Sequence, residues 1–294
     1  MIELLDNPET DGLDGRHGAY THTYARERLG NHRLRNAIET GELMGFGRGV
    51  LMDAGRVLDL RTRSAAALLL TDGLLVGPTA AALHGCTAVG GFPVHVRIPY
   101  TQRARSRPGL IVHQGDLNTR DMTDLDGLRV LKVDLAITEV LCTAPHRAAL
   151  ACTDEILHAM RPDDRAPFVA AVREHLNTRP DRRGTRRAAA LLAMATGRPE
   201  NPAQSACLLV LREAGFPPPV PQYEVGRRRV DFAWPEQQVA LEFSMSKEEE
   251  PHHANDPQQQ GWIVIEADHQ DLTDPTMLCS RLRVALRTRT RIAA

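Results

Sequence analysis

THTYARERLGNHRLRNAIETGELMGFGRGVLM, residues 21–52, is the stretch whose reading decides the fold. Thr21 can accept a hydrogen bond from the opening turn of a helix, and Ala25 and Leu29 lie four apart on one inward face. Gly30 stops that helix, because glycine takes the left-handed conformation without steric cost. Asn31 is suited to cap the next helix, whose buried stripe is Leu34, Ala37 and Ile38 and whose end is Gly41. His32, Arg33 and Asn36 then face solvent, with Arg35 on the flank. Leu43–Phe46 and Val50–Met52 can pair as two short strands, with Gly45, Gly47 and Gly49 freeing the turn and Arg48 at its tip. Helix, turn, helix and hairpin in this order make a helix-turn-helix followed by a wing. Arginine can grip guanine and asparagine adenine through paired hydrogen bonds in the major groove, and a lone cation on a glycine loop suits a phosphate or the minor groove. The expected partner is double-stranded DNA, with His32, Arg33, Arg35, Asn36 and Arg48 as the contact residues.

Charge distribution supports that expectation locally. Residues 16–50 hold six Arg against three Glu, a balance of +3, whereas the 294-residue chain carries a net charge of −1. Residues 1–15 hold five acids and no base. There is no global basic field, so nucleic-acid contact must come from local patches. An arginine-rich face is also what an ordinary solvated helix presents; the turn, the glycines and the wing favour the DNA reading over it. The five cysteines are odd in number, scattered and without a CxxC pair, as for core thiols in a reducing cytoplasm rather than disulfides or zinc ligands. The acidic N-terminus is no signal peptide, and the longest apolar runs are too short to span a bilayer. The expected location is the cytoplasm, with no membrane partner, cofactor or metal.

Beyond the wing, Ser64–Leu70 and Pro78–Leu83 read as helices. Val94, Val96 and Ile98 alternate with polar residues as a half-buried strand, and Leu110–Val112 and Leu128–Leu131 are further strand candidates. Helices follow at about Val133–Cys142, Arg147–Met160 and Ala166–Leu176. NTRPDRRGTRR (177–187) is a basic segment, either a solvated connector leading into a helix or an auxiliary phosphate contact; the connector is the simpler reading. Pro202–Ala214 reads as an amphipathic helix ended by Gly215. FPPPVPQ then leads to a hairpin in which Val230 and Phe232 face one way and Asp231 the other, and Val239, Leu241 and Phe243 face one way and Glu242 the other. Ile263–Ile265 make a third strand and Pro275–Leu286 a closing helix with Arg281, Arg283 and Arg287 toward its end.

Asp231 and Glu242 on adjacent strands resemble the PD-(D/E)xK nuclease core, where two carboxylates hold Mg²⁺ beside a lysine. The ion would activate water and neutralise charge developing on the phosphate. The resemblance is closest to a short repair-endonuclease-like domain whose helical glutamate sits in S-P-x-E and whose second strand ends E-x-D-G or E-x-K. Here those positions read Asn201-Pro202-Ala203-Gln204 and Glu242-Phe243-Ser244-Met245, so the helical acid is Gln204 and the third active-site residue is Ser244. Lys247 comes three residues late, and the adjacent His252 and His253 cannot share a helix face as metal ligands. The expectation is a nuclease-derived fold kept for interaction and not an enzyme; the alternative is a site-specific Mg-dependent endonuclease using Asp231 and Glu242.

The whole chain resembles a winged-helix antitoxin of the AbiE (abortive-infection) type IV toxin–antitoxin family. The resemblance rests on the winged segment ending in GRGV (47–50), on GPTAAALHG (77–85), VHVRIP (94–99), RPGLIVHQGDL (107–117) and DGLRVLKVDLAITEVL (126–141), and on the C-terminal region. It departs at Leu131–Glu139, where the usual threonine-rich helix entry reads LKVDLAITE. The resemblance implies an α+β fold in three parts: a winged helix-turn-helix at 1–55, a middle α/β antitoxin domain at 56–195 and a PD-(D/E)xK-like mixed sheet with flanking helices at 196–294. It implies an autorepressor that binds an inverted-repeat operator through the winged domain and counteracts a cognate nucleotidyltransferase-like toxin through the remainder. Arg33, Arg35 and Asn36 would then lie on the recognition helix and Arg48 on the wing. A palindromic operator needs two winged domains, from one dimer or two monomers, and no heptad in the sequence chooses between them.

Overall fold

A three-stranded sheet, two of whose strands are buried on both faces, organises the first of two compact units, Met1–Val140 and Leu141–Ala294. The computed structural model describes residues 13, 16–90, 92–243 and 257–292. Ser244, Lys247, His252 and His253 lie outside the described residues.

In the first unit the sheet has the order β1 (Ala19–Thr21), β3 (Val50–Asp53), β2 (Leu43–Gly47), all antiparallel. Side chains alternate across a strand, and on β1 and β3 both sets are buried, whereas Met44 of β2 is exposed. Tyr20, Leu43 and Leu51 pack with Ala25, Leu29, Leu34 and Ala37 of α1 (His22–Glu39). Ala19, Val50 and Met52 pack instead with Ala65, Ala66 and Ala67 of α2 (Leu60–Thr71). The small alanine side chains let α2 approach the sheet closely, and Asp59 caps that helix by accepting from the backbone N–H of Arg61 and Thr62. The head is thereby fused to the region that follows it through a shared core.

That region is a five-stranded mixed sheet of order β6 (Leu110–Gln114), β5 (Val94–Ile98), β4 (Leu74–Leu75), β8 (Leu128–Leu131), β7 (Met122–Leu125). Val94, Val96 and Ile98 are fully buried and alternate with half-buried His95 and Arg97, the expected period of two. The central strand β4 is only two residues long, and both are buried. The β7–β8 hairpin turns on Asp126 and Gly127, both at positive φ (52° and 78°), the requirement of a two-residue primed turn. Helix α3 (Gly77–Leu83) has proline in its first turn, and α4 (Val133–Thr143) follows β8.

The second unit opens with helices α5 (His146–Ala159), α6 (Pro162–Thr178), α7 (Thr185–Leu192) and α8 (Pro202–Glu213). Helix α6 starts four residues before the expected Ala166. Pro162 occupies the first turn, where its missing N–H costs nothing, and Asp163 and Asp164 complement the positive end; Pro167 is carried inside the helix. The basic segment is partly consumed internally. Arg182 donates to the Leu176 and Asn177 carbonyls at the end of α6, and Arg187 to the Leu141 and Ala144 carbonyls. Both occupy orphan acceptors at helix C-termini. Asp154, nearly inaccessible, accepts from the backbone N–H of Thr196 and Gly197 and from the Ser205 hydroxyl.

A four-stranded sheet completes the unit, ordered β12 (Ile263–Ala267), β11 (Val239–Phe243), β10 (Arg228–Trp234), β9 (Val220–Val225). β11 and β12 run parallel and the other pairs antiparallel. One core joins Phe232, Trp234, Val239 and Leu241 to Cys207 and Val210 of α8 and to Leu278 and Leu282 of α10 (Thr276–Ile292), after the short α9 (His269–Thr273). Val230, expected beside Phe232, packs in a separate cluster with Val225, Ala233 and Ala240, at a point on β10 beyond its paired register with β11. The expected proline-rich turn also yields β9, an edge strand, the position in a sheet where a proline such as Pro221 is tolerated. The fold class is α+β. All five cysteines are buried thiols outside any disulfide, and no described helix is long and apolar enough to cross a membrane.

Candidate nucleic-acid interface

Gly30 divides α1 into two arms, 22–29 and 31–39. Its φ of 76° and ψ of 166° lie not in the left-handed helical region expected from the sequence but in the mirror-extended region open essentially to glycine alone. Among the described residues, no atom outside the neighbouring backbone lies within 4 Å of where a Cβ would stand, so the constraint is torsional and not steric. Gly30→Ala should therefore destabilise the first unit by about 1–3 kcal/mol, read as a lower urea midpoint; an unchanged midpoint would show that the turn relaxes freely.

Thr21 caps the first arm by accepting from the Tyr24 N–H. The second arm ends in a paired lock: Glu42 N donates to the Ala37 carbonyl (2.9 Å) and Gly41 N to the Ile38 carbonyl (3.3 Å), with Gly41 at φ 79°. This is the Schellman arrangement, and it delivers the chain directly into β2. Leu34 and Ala37 point into the core, as expected. Ile38 does not: it is 40% exposed. At 100° per residue it lies about 70° from the midline between Leu34 and Ala37, off the edge of the sheet that covers them.

Of the expected row, His32, Arg35 and Asn36 lie on the side of the second arm away from that core, and Arg33 lies on its flank, about 70° from the same midline. His32, Arg33 and Arg35 are exposed and Asn36 is half-buried. The wing carries exposed Arg48 between Gly47 and Gly49. Gly49 supplies positive φ (77°) for the turn, and its carbonyl accepts from His22 N (2.8 Å), tying the wing tip to the start of α1. The Tyr20 hydroxyl donates to Asp53 (3.1 Å) and locks β1 to the end of β3; burial, then the neighbouring carboxylate, holds that phenol well above its ordinary range. One contributor is absent from the sequence reading. The Arg107 guanidinium lies over the Phe46 ring, 5.2 Å from its centroid, and against Gly47, where an added Cβ would make the guanidinium shift. Gly47 thus leaves room for this close approach, and it is not among the positive-φ glycines.

In the second unit, the β10–β11 register pairs Phe232 with Leu241, and continuing it by one residue sets Asp231 opposite Glu242. The two carboxylates do come together, but their oxygens are engaged by the chain itself. Asp231 accepts from the Gln204 side-chain amide (2.7 Å) and from Phe243 N (2.7 Å). The Gln204 carbonyl oxygen accepts in turn from Glu200 N (2.7 Å) and from the Gln222 amide (3.2 Å). Glu242 pairs with Arg228 at 2.8 Å, and Glu200 pairs with Arg229. Burial raises both Asp231 and Glu242 above the ordinary carboxylate range; hydrogen bonds oppose the rise at Asp231, and the Arg228 charge opposes it at Glu242.

No family model matches the chain. Two proteins of Mycobacterium tuberculosis, uncharacterized protein MT2308 of strain CDC 1551 and uncharacterized protein Rv2248 of strain H37Rv, are each 32% identical to it over 213 residues, 70% of this chain and 75% of theirs. Among solved structures, the Rv2827c protein of M. tuberculosis aligns at 17% identity with a TM-score of 0.43, covering 65% of this chain and 75% of that one.

Proposed function

This chain belongs to the family of Rv2248 and MT2308, and we propose that it is a DNA-binding transcriptional autorepressor that doubles as an antitoxin. The observation that carries the first half is the outward row of His32, Arg33 and Arg35, flanked by Asn36, on a helical arm held rigidly beside a wing with Arg48 at its tip. Burial of β1 and β3 on both faces supports a preorganised head, and a rigid head places its donors in a groove without the entropy loss of ordering them on binding. The antitoxin half rests on the resemblance of the middle and C-terminal stretches to the AbiE type. Its partner is a cognate nucleotidyltransferase-like toxin, and its place of work is the cytoplasm.

The proposed role involves no reaction. The engagement of Asp231 by Gln204 and Phe243 N, and of Glu242 by Arg228, supports a nuclease-like scaffold used for contact. The test is a gel shift of the full chain with the duplex upstream of its own reading frame, with Mg²⁺ present. A retarded, un-nicked operator complex that outcompetes scrambled duplex is expected. Binding indifferent to sequence would contradict the repressor reading, and a nick abolished by Asp231→Ala would replace it with the endonuclease.

A further inference from the structure

We propose that the segment YTQRARSR (100–107) is a second cationic ridge of the DNA interface, lying beside the wing and gripping the phosphate backbone of the same duplex through Arg103 and Arg105. This rests on the DNA-binding reading and extends it to residues far from the helix-turn-helix in sequence. Three observations place the ridge. Arg107 lies against Gly47 and over Phe46, so the end of the segment is docked next to Arg48. Arg105 and Arg103 are two and four residues from that anchor, so their Cα atoms lie within about 7 and 14 Å of Arg107's. Both are exposed, and neither makes an ion pair or hydrogen bond among the described residues.

The segment is also held in place. The Ser106 hydroxyl accepts from Val112 N (2.9 Å), and Arg107 and Leu110 exchange both backbone hydrogen bonds (2.9 and 3.0 Å). At the other end, Gln102 N donates to the Pro99 carbonyl (3.0 Å). Two free arginines thus stand between fixed ends, on a loop leading into the edge strand β6. No acid occurs from Val94 to Gly115, so nothing nearby in sequence offsets them. A stability role would leave these side chains paired or packed; they are neither. Phosphate is the fitting ligand, because a cation on an irregular loop at the flank of a reading head meets the backbone before it meets base edges.

The experiment is a fluorescence-anisotropy titration of the full chain on its operator and on a scrambled duplex across a salt series. Arg103→Ala/Arg105→Ala should weaken binding to both duplexes by the same factor. It should lower the slope of log affinity against log salt by about two units, roughly one for each phosphate no longer neutralised. Arg103→Lys/Arg105→Lys should restore the slope, and the melting temperature of either variant should match the wild type. An alanine variant with wild-type affinity and slope overturns the ridge while leaving the repressor reading intact. A loss confined to the operator overturns it too, since that would be base reading. Failure of the wild type to bind either duplex would instead remove the underlying reading, and the ridge with it.

Discussion

Replacing Arg33 and Arg35 together by alanine is expected to lower operator affinity by at least about 30-fold and to erase most discrimination against scrambled DNA. Each well-placed side chain reading a base edge contributes about 1–3 kcal/mol of discrimination, and about 1.4 kcal/mol is a tenfold change in affinity. Two such effects, if independent, sum to about 2–6 kcal/mol. The pair is the sensitive choice because both residues are exposed on the second arm of α1, while the core beneath them is made by Leu34 and Ala37. Their replacement therefore removes no side chain of that core. The check is a competition titration of operator against scrambled duplex, with urea unfolding as the folding control. Unchanged discrimination in a folded variant would mean that this arm is not the reading element.

The second large effect is expected at Gln204. Gln204→Glu should destabilise the second unit by about 3 kcal/mol at pH 7. The change exchanges a 2.7 Å hydrogen bond to Asp231 for an unshielded pair of buried carboxylates. The sign with pH follows from the same geometry. Burial already raises Asp231, and a second acid at that distance has a native pKa above its unfolded value of about 4.3. The unfolded chain then releases the proton more readily, so the penalty grows as pH rises through the native value and shrinks toward pH 4. Below that range the new carboxyl is protonated and can donate to Asp231 as the amide does. Urea unfolding at pH 7 and pH 4.5 reads the difference. A variant as stable as wild type at pH 7 would show that Gln204 is not holding Asp231, and the endonuclease alternative would regain ground.

The parts of the fold legible in the sequence are those fixed by local rules. Thr21, Gly30 and Gly41 mark the ends of the two arms because capping and positive φ are local demands, and period-two burial in β5 is visible in its residues alone. The exposure of His32 and Arg35 was legible for the same reason, since both lie away from the stripe that the spacing identifies, and that of Arg48 because it stands between two glycines of a turn. What was not legible depended on distant chain. Ile38 fits the helical stripe by spacing, yet the sheet beneath does not reach it. β4, with two residues, is too short to show a period and exists because β5 and β8 flank it. Arg107 supports the wing across a separation of about sixty residues, for which sequence offers no signal beyond a glycine at 47. One feature was readable and missed: Asp126-Gly127 is a two-residue hairpin signature, and it announces β7 as the partner of β8.

Gly30, Gly41 and Gly49 share one property, a positive φ at a turn beside the core of the head. The arginines of residues 177–187 teach the converse. Their density suggests a binding tail, but Arg182 and Arg187 are occupied by helix-end carbonyls, so charge in sequence overstates charge offered to a partner.

Guanine-N7 methylation interference, run alongside hydroxyl-radical footprinting of the full chain on its upstream duplex, tests the central claim most directly because it asks whether the arginine-bearing arm enters the major groove. The expected result is backbone protection over each half of an inverted repeat, with one or two methylated guanines per half-site blocking binding, since arginine grips guanine at N7 and O6. Binding without any interfering guanine, or without discrete protection, would contradict the account.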